Sequence, residues 1–191
     1  MKITKTSKFL PEQQLSTSNS LLISSDLSVQ SLYQILTKNQ ALINKTDKNG
    51  ETFMSYALKR KKDEVSEFLL TSPVLDLTFQ DDQGNSYLHL SALTQNDVVA
   101  LGLIKKGIEI NMKNFKGNTA LHYAFMKDDT KMKNILIEHG ADLTIKNNDQ
   151  LLPDEVTSEN TTNDLIDKDL NVNVSYNISK EINKSIRMEW S

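Results

Sequence analysis

The 191-residue sequence predicts an all-α solenoid of stacked helix-turn-helix units with short hairpin-like turns. Three observations predict it. A turn motif recurs every 33 or 34 residues, an apolar string follows each copy, and a second apolar run at helical spacing follows that string.

The turn copies are Asp47-Lys48-Asn49-Gly50-Glu51-Thr52, Asp81-Asp82-Gln83-Gly84-Asn85-Ser86 and Asn114-Phe115-Lys116-Gly117-Asn118-Thr119. Behind them come Phe53-Met54-Ser55-Tyr56-Ala57, Tyr87-Leu88-His89-Leu90-Ser91 and Ala120-Leu121-His122-Tyr123-Ala124. The second runs carry Val65, Phe68, Leu69 and Leu70, then Val98, Leu101 and Ile104, then Met132, Ile135 and Leu136. Such spacings gather apolar residues on one helix face, so each unit is read as a pair of short helices. The second and third units close with Gly107-Ile108-Glu109-Ile110-Asn111 and Gly140-Ala141-Asp142-Leu143-Thr144, whose glycines can take the left-handed conformation that ends a helix. The first closes with Ser72-Pro73-Val74-Leu75-Asp76-Leu77 instead. Its proline ends the helix by another route, and its extra residue accounts for the spacing of 34.

These residues resemble the ankyrin repeat, whose pattern is a turn with Gly, then Thr-Pro-Leu-His-x-Ala, a second helix, and Gly-Ala-Asp-hydrophobic-Asn. In the third unit Gly117, Thr119, Leu121, His122, Ala124, Gly140, Ala141 and Asp142 fall in phase with it. The first unit has Ser55 in the histidine position, and no proline follows Thr52, Ser86 or Thr119. The resemblance extends to both flanks. Ala41-Leu42-Ile43-Asn44 matches Ile108-Glu109-Ile110-Asn111, which makes residues 27–39 the second helix of an N-terminal capping unit. Counting forward from Gly117 lands on Gln150, so Leu152-Pro153-Asp154-Glu155-Val156 reads as the worn start of a fourth unit completed by residues 164–170. The expected organisation is a polar segment at 1–20, a repeat domain at 21–170 and a tail at 171–191. Within the domain, an N-cap unit at 21–46 and a C-cap unit at 147–170 flank repeats at 47–80, 81–113 and 114–146. A single helical hairpin cannot bury its apolar face alone, so end units must differ from inner ones, and polar residues 16–20 and 157–163 suit that place. Disorder is the alternative for 1–20. In the tail, Val172, Val174, Tyr176 and Ile178 alternate with polar residues as a strand would. Ser179 then opens a short helix carrying Ile186, Met188 and Trp190, and the tail either folds back on the last repeat or inserts into a partner.

Composition narrows the function classes. With no cysteine, structural disulfides and thiolate metal sites are excluded, and a reducing compartment fits. The cytosol is the expected location, with delivery into a host-cell cytosol as the alternative. A formal charge of −3 gives no whole-chain field toward nucleic acid or an anionic membrane. Apolar stretches such as Leu21-Leu22-Ile23 and Phe68-Leu69-Leu70 are far shorter than the roughly 20 residues a membrane helix needs. The N-terminal lysines run into Pro11-Glu12-Gln13-Gln14 where a signal peptide would become apolar, so no signal peptide is expected.

Reactive constellations are not found. His89 and His122 occupy the repeat's histidine position, where the resemblance implies hydrogen bonds to neighbouring turns, and no third ligand accompanies them to make a metal site. His139 precedes Gly140 at a helix end, where a cation is favoured by the carbonyls. Asp81-Asp82, Asp128-Asp129 and Asp167-Lys168-Asp169 lack calcium-loop spacing and read as solvated turns. Neither a phosphate-binding glycine loop nor a nucleophile-elbow serine occurs. The expectation is a protein that is not an enzyme and holds no cofactor. The Lys59-Arg60-Lys61-Lys62 cluster reads as a solvated turn between helices, or as a contact for an acidic partner or an import receptor. It lacks the aromatic residues that accompany nucleic-acid binding.

In the ankyrin family, partners usually contact the turn tips and the exposed side of the first helices, which together form a concave surface. By position, the tips here are Lys48, Asn49 and Glu51, then Asp82, Gln83 and Asn85, then Phe115, Lys116 and Asn118. The helix positions are Lys59 and Arg60, Leu93 and Thr94, Met126 and Lys127. Phe115, Leu93 and Met126 are apolar where solvent is expected, as at a recognition patch, although Leu93 and Met126 could instead pack between units. The expected function is a non-catalytic module, monomeric when unbound, that masks or recruits another protein. A microbial or viral effector, an inhibitor and an immunity protein all fit. The alternative is a targeting subunit that binds a second partner through its tail.

Overall fold

In the computed structural model, residues 29–157 are described. The segment at 1–20, the capping helix expected at 164–170 and the strand and helix expected in the tail lie outside them. Within the described residues seven helices follow one another: α1 Val29–Lys38, α2 Phe53–Lys59, α3 Asp63–Thr71, α4 Tyr87–Thr94, α5 Asp97–Lys105, α6 Ala120–Met126 and α7 Thr130–Glu138. Among the described residues there is no strand, and no helix is long and apolar enough to cross a membrane. The fold is an all-α helical repeat.

Each helix pair begins and reverses by the same local chemistry. Thr52, Ser86 and Thr119 stand at the N-caps of α2, α4 and α6 in extended conformation. Asn96 and Asp129 cap α5 and α7, each side chain accepting the N–H of the residue three positions on, Val99 and Met132, at 3.0 Å. Between the paired helices, Lys61, Gln95 and Asp128 take φ of 52°, 60° and 49°, which turns the chain back on itself. Helices this short are marginal by themselves. Packing supplies the rest: α2, α4 and α6 stack in one row, α1, α3, α5 and α7 in a second, and each pair also packs internally.

The core runs along the junction of the rows. Leu69, Leu103 and Leu136, at equivalent positions, are each fully buried, and so are Phe79's stacking partner Tyr87 and the paired Met54 and Leu88. Helix α4 has a neighbour on either side and buries Tyr87, Leu88, His89, Leu90, Ser91, Ala92 and Thr94, leaving no polar stripe. In the outer row Leu70 fills the space beside Gly102, where an added Cβ would fall 2.6 Å from Leu70 Cδ1. One expectation is corrected in this row. Val98, read as part of the apolar run of α5, is 60% exposed, and Val99, Ala100 and Leu103 fill the core. Val99 is in register with buried Val65 and Met132, whereas Val98 is in register with exposed Glu64 and Lys131.

The ends depart from the repeat. The helix expected within 27–39 runs Val29–Lys38 and leads through a 3-10 turn at Gln40–Leu42. Beyond α7, Gln150 takes φ 63° in the place that Gly50, Gly84 and Gly117 hold with φ of 75–76°. The segment after it makes one 3-10 turn, Pro153–Glu155, with Pro153 and Val156 buried and the turn packed on α6.

Candidate functional site

Every turn tip is built on one Asp or Asn side chain. Asp47 Oδ1 accepts the N–H groups of Asn49 (2.8 Å) and Glu51 (3.1 Å), and Asp81 Oδ1 those of Gln83 (3.0 Å) and Asn85 (2.8 Å). Asn114 Oδ1 does the same for Lys116 and Asn118, and Asn147 Oδ1 for Asp149 and Leu151, all at 3.0 Å. A short side chain with one well-placed acceptor suffices, which is why Asp and Asn alternate here without consequence for the turn.

The second atom of the same side chain reaches back one unit, and there the difference matters. Asn114 Nδ2 donates to Asn85 Oδ1 at 2.8 Å and to the Tyr123 hydroxyl at 2.8 Å, and Asn147 Nδ2 donates to Asn118 Oδ1 at 2.9 Å. These rungs are neutral. At the first junction the equivalent residues are Glu51 and Asp81, both acids, and Lys59 Nζ lies between them, 2.6 Å from Glu51 Oε1 and 3.1 Å from Asp81 Oδ2. Burial disfavours the ammonium, but the hydrogen bond and charge of Glu51 with those of Asp81 outweigh it and hold the Lys59 pKa above the ordinary lysine value. Two expectations are thereby corrected. Lys59 is a cross-unit tie whose side chain is 22% exposed, and Asp81 is a buried rung carboxylate, not part of a solvated turn. Asp47 Oδ2, the rung atom of the first turn, has no hydrogen-bond partner among the described residues, and the turn that would precede it lies outside them.

The histidines tie units together beneath the rungs. His89 Nδ1 accepts from the Ser86 N–H (3.1 Å) and hydroxyl (2.8 Å), while Nε2 meets the Asn118 carbonyl at 3.0 Å. A carbonyl only accepts, so Nε2 carries the proton and the ring is neutral. Burial pushes the His89 pKa down to about 4, against the partial support of the Asn118 carbonyl. His122 repeats the arrangement with Thr119 and the Leu151 carbonyl at 3.3 Å, and burial lowers its pKa too. In the first unit the Ser55 hydroxyl accepts the Thr52 N–H at 2.9 Å, which preserves the cap. The crossing to the second unit is made by the Tyr87 hydroxyl, 2.8 Å from Thr52 Oγ1. His139 is exposed at its helix end, with Nδ1 2.8 Å from the Ile135 carbonyl.

On this frame the row of predicted contact residues divides. Lys48, Asn49, Arg60, Asp82 and Phe115 are exposed; Gln83, Lys116 and Lys127 are half-buried. Arg60 lies over the Tyr56 ring at 5.6 Å. Leu93 is half-buried against the core and Met126 is 8% exposed, so neither is the solvent-facing apolar residue that the spacing suggests. The reason is direction. Both are in register with Lys59, whose side chain runs toward the next unit's turn, and Met126 belongs to the core cluster that Leu93 packs against. Asn85 and Asn118 are buried as rungs, and Thr94 is buried with its hydroxyl donating to the Leu90 carbonyl at 2.8 Å.

Phe115 is the apolar exception, at 69% exposed. Its N–H donates to the Gln83 carbonyl of the preceding tip at 3.1 Å, and its carbonyl accepts from Asn148 Nδ2 of the following tip at 2.9 Å. Its ring lies on Gly84, where an added Cβ would fall 2.7 Å from ring Cδ1. One edge of the ring is held and one face is left to solvent. Among the described residues no cluster of three or more His, Asp or Glu side chains could hold a metal ion.

A family model described as ankyrin repeats, in three copies, matches residues 23–114 and 76–147. No curated protein matches the chain.

Proposed function

We propose, from the premise that this chain belongs to the ankyrin repeat family, that it is a non-catalytic module which masks or recruits a partner protein through the row of turn tips and first helices. Ankyrin repeats are generally protein–protein interaction modules, and the family is typically non-catalytic. The observation that carries the reading is Phe115, an aromatic side chain 69% exposed on a tip whose backbone is bonded to the tips on either side. A pre-ordered aromatic gives contact area with little entropy left to lose on binding. Around it, exposed Lys48, Asn49, Arg60 and Asp82 and half-buried Lys116 and Lys127 supply the polar rim. The absence of cysteine supports a reducing compartment, the cytosol of its own cell or of a host, for an inhibitor, effector or immunity protein that works as a monomer until it binds.

The test is capture from the cognate lysate by the intact chain beside Phe115→Ala, after circular dichroism shows equal helicity. A partner held by the intact chain should be weakened by about 2 kcal/mol, roughly 30-fold in affinity, when the ring is removed. Equal recovery with both chains would overturn the reading.

A further inference from the structure

We infer that Asn49 is a site of spontaneous covalent modification, where the amide nitrogen of Gly50 closes on the asparagine side chain and converts the first turn tip to aspartate and isoaspartate. Asn49-Gly50 is the only Asn-Gly pair in the sequence, and glycine offers no side chain to hinder the approach of its own amide. The three glycine-bearing tips differ in what covers that glycine. At Gly84 a Cβ would meet the Phe115 ring at 2.7 Å and the Phe115 nitrogen at 2.9 Å, and at Gly117 it would meet Asn148 Oδ1 at 2.5 Å and Asn148 N at 2.7 Å. At Gly50 an added Cβ would meet nothing within 4 Å among the described residues, and both Asn49 and Gly50 are exposed. The covered tips also present the wrong side chains, Gln83 and Lys116, ahead of their glycines. One bond holds the Gly50 amide in the first tip, from its N–H to the Asp47 carbonyl at 3.0 Å. Ring closure needs that bond broken and Asn49 rotated, and the following tip, which covers Gly84 and Gly117 in their units, does not cover Gly50.

The chemistry needs only solvent. The Gly50 amide gives its proton to a solvent base and its nitrogen forms a bond to Asn49 Cγ. The bond from Cγ to Nδ2 breaks, and Nδ2 leaves as ammonia with the proton returned. Water then opens the five-membered imide. Cleavage at Cγ leaves aspartate in an ordinary backbone, and cleavage at the main-chain carbonyl leaves isoaspartate, whose backbone runs through Cγ and is one atom longer. The sum is water taken up and ammonia released, with no change of oxidation state. A carboxylate then stands beside Lys48, and the longer backbone misfits a turn held by Asp47 Oδ1. The effect of this on partner affinity rests on the proposed function, but the modification does not.

The full chain, incubated at neutral and mildly alkaline pH and then digested and weighed by mass spectrometry, tests it beside the same chain in urea and the Gly50→Ala and Asn49→Gln variants. The peptide holding Asn49 should gain the amide-to-acid mass increment, with part of the product reacting as isoaspartate. The folded chain should react at a rate comparable to the unfolded one, faster at higher pH, with reaction suppressed in both variants. Reaction at Asn49 in urea but not in the folded chain would show that the turn protects it and would overturn the proposal, as would its absence under both conditions. The readout is independent of any partner, so loss of the binding reading leaves it unchanged.

Discussion

At Lys59 a single ammonium separates two carboxylates that would otherwise face each other across the first two units. Its side chain and that of Glu51 are about one-fifth exposed, at 22% and 19%, so solvent screens the set only in part. Lys59→Met should cost about 2 kcal/mol, below the range for a fully buried pair, because it strands Glu51 and Asp81 together. Converting the junction to the neutral chemistry of the others, with Glu51→Asn, Asp81→Asn and Lys59→Leu combined, should return stability to within about 1 kcal/mol of the natural chain. Urea unfolding midpoints check both, and a Lys59→Met chain as stable as the natural one would remove the tie from the account. None of this is legible at position 59 alone. A lysine at a helix end beside three more basic residues looks like solvated surface, and only the neighbouring turn shows where its charge goes.

Among the elements, the turn tips carry both the recognition row and the contacts between units. Left-handed glycine is legible from the period, since Gly50, Gly84 and Gly117 recur in phase and adopt φ of 75–76°. What covers each glycine is not. Gly50→Ala should cost about 1 kcal/mol, the strain of a Cβ in the left-handed region. Gly84→Ala should cost more, about 3 kcal/mol, because the new Cβ also meets the Phe115 ring and backbone nitrogen. Equal losses in the two variants, measured by urea unfolding, would mean that the ring moves aside freely and that Phe115 is not held by the preceding tip. The helices show the same division. Their existence and pairing follow from apolar spacing, but Val98 shows that an apolar residue one position out of phase satisfies the pattern while facing solvent.

For the whole molecule, stability depends on two histidines remaining neutral. The folded-state pKa of His89 is lowered to about 4 from 6.5, so the folded chain binds fewer protons than the unfolded one in between. Its contribution is therefore complete above about pH 6.5 and is lost as the pH falls through about 4. Going from about pH 7.5 to about pH 5 should lower the unfolding free energy by about 2 kcal/mol from this residue, with His122 acting in the same direction. A His89→Gln chain should lose that part of the pH dependence, and an unchanged pH profile in that chain would sink the assignment. The first unit, with Ser55 in the histidine position, adds no third histidine to this pair. By itself the sequence determined the period and the helix pairs, because each of these is set within one unit by apolar spacing, and the resemblance to the repeat implied the structural place of His89 and His122. Only the tertiary structure decided which members of the recognition row are free. It drew Lys59, Leu93 and Met126 into the stack and left Phe115 in solvent. Burial at a junction is a property of two residues from different units, and the reach and charge of the one are tested only against the other.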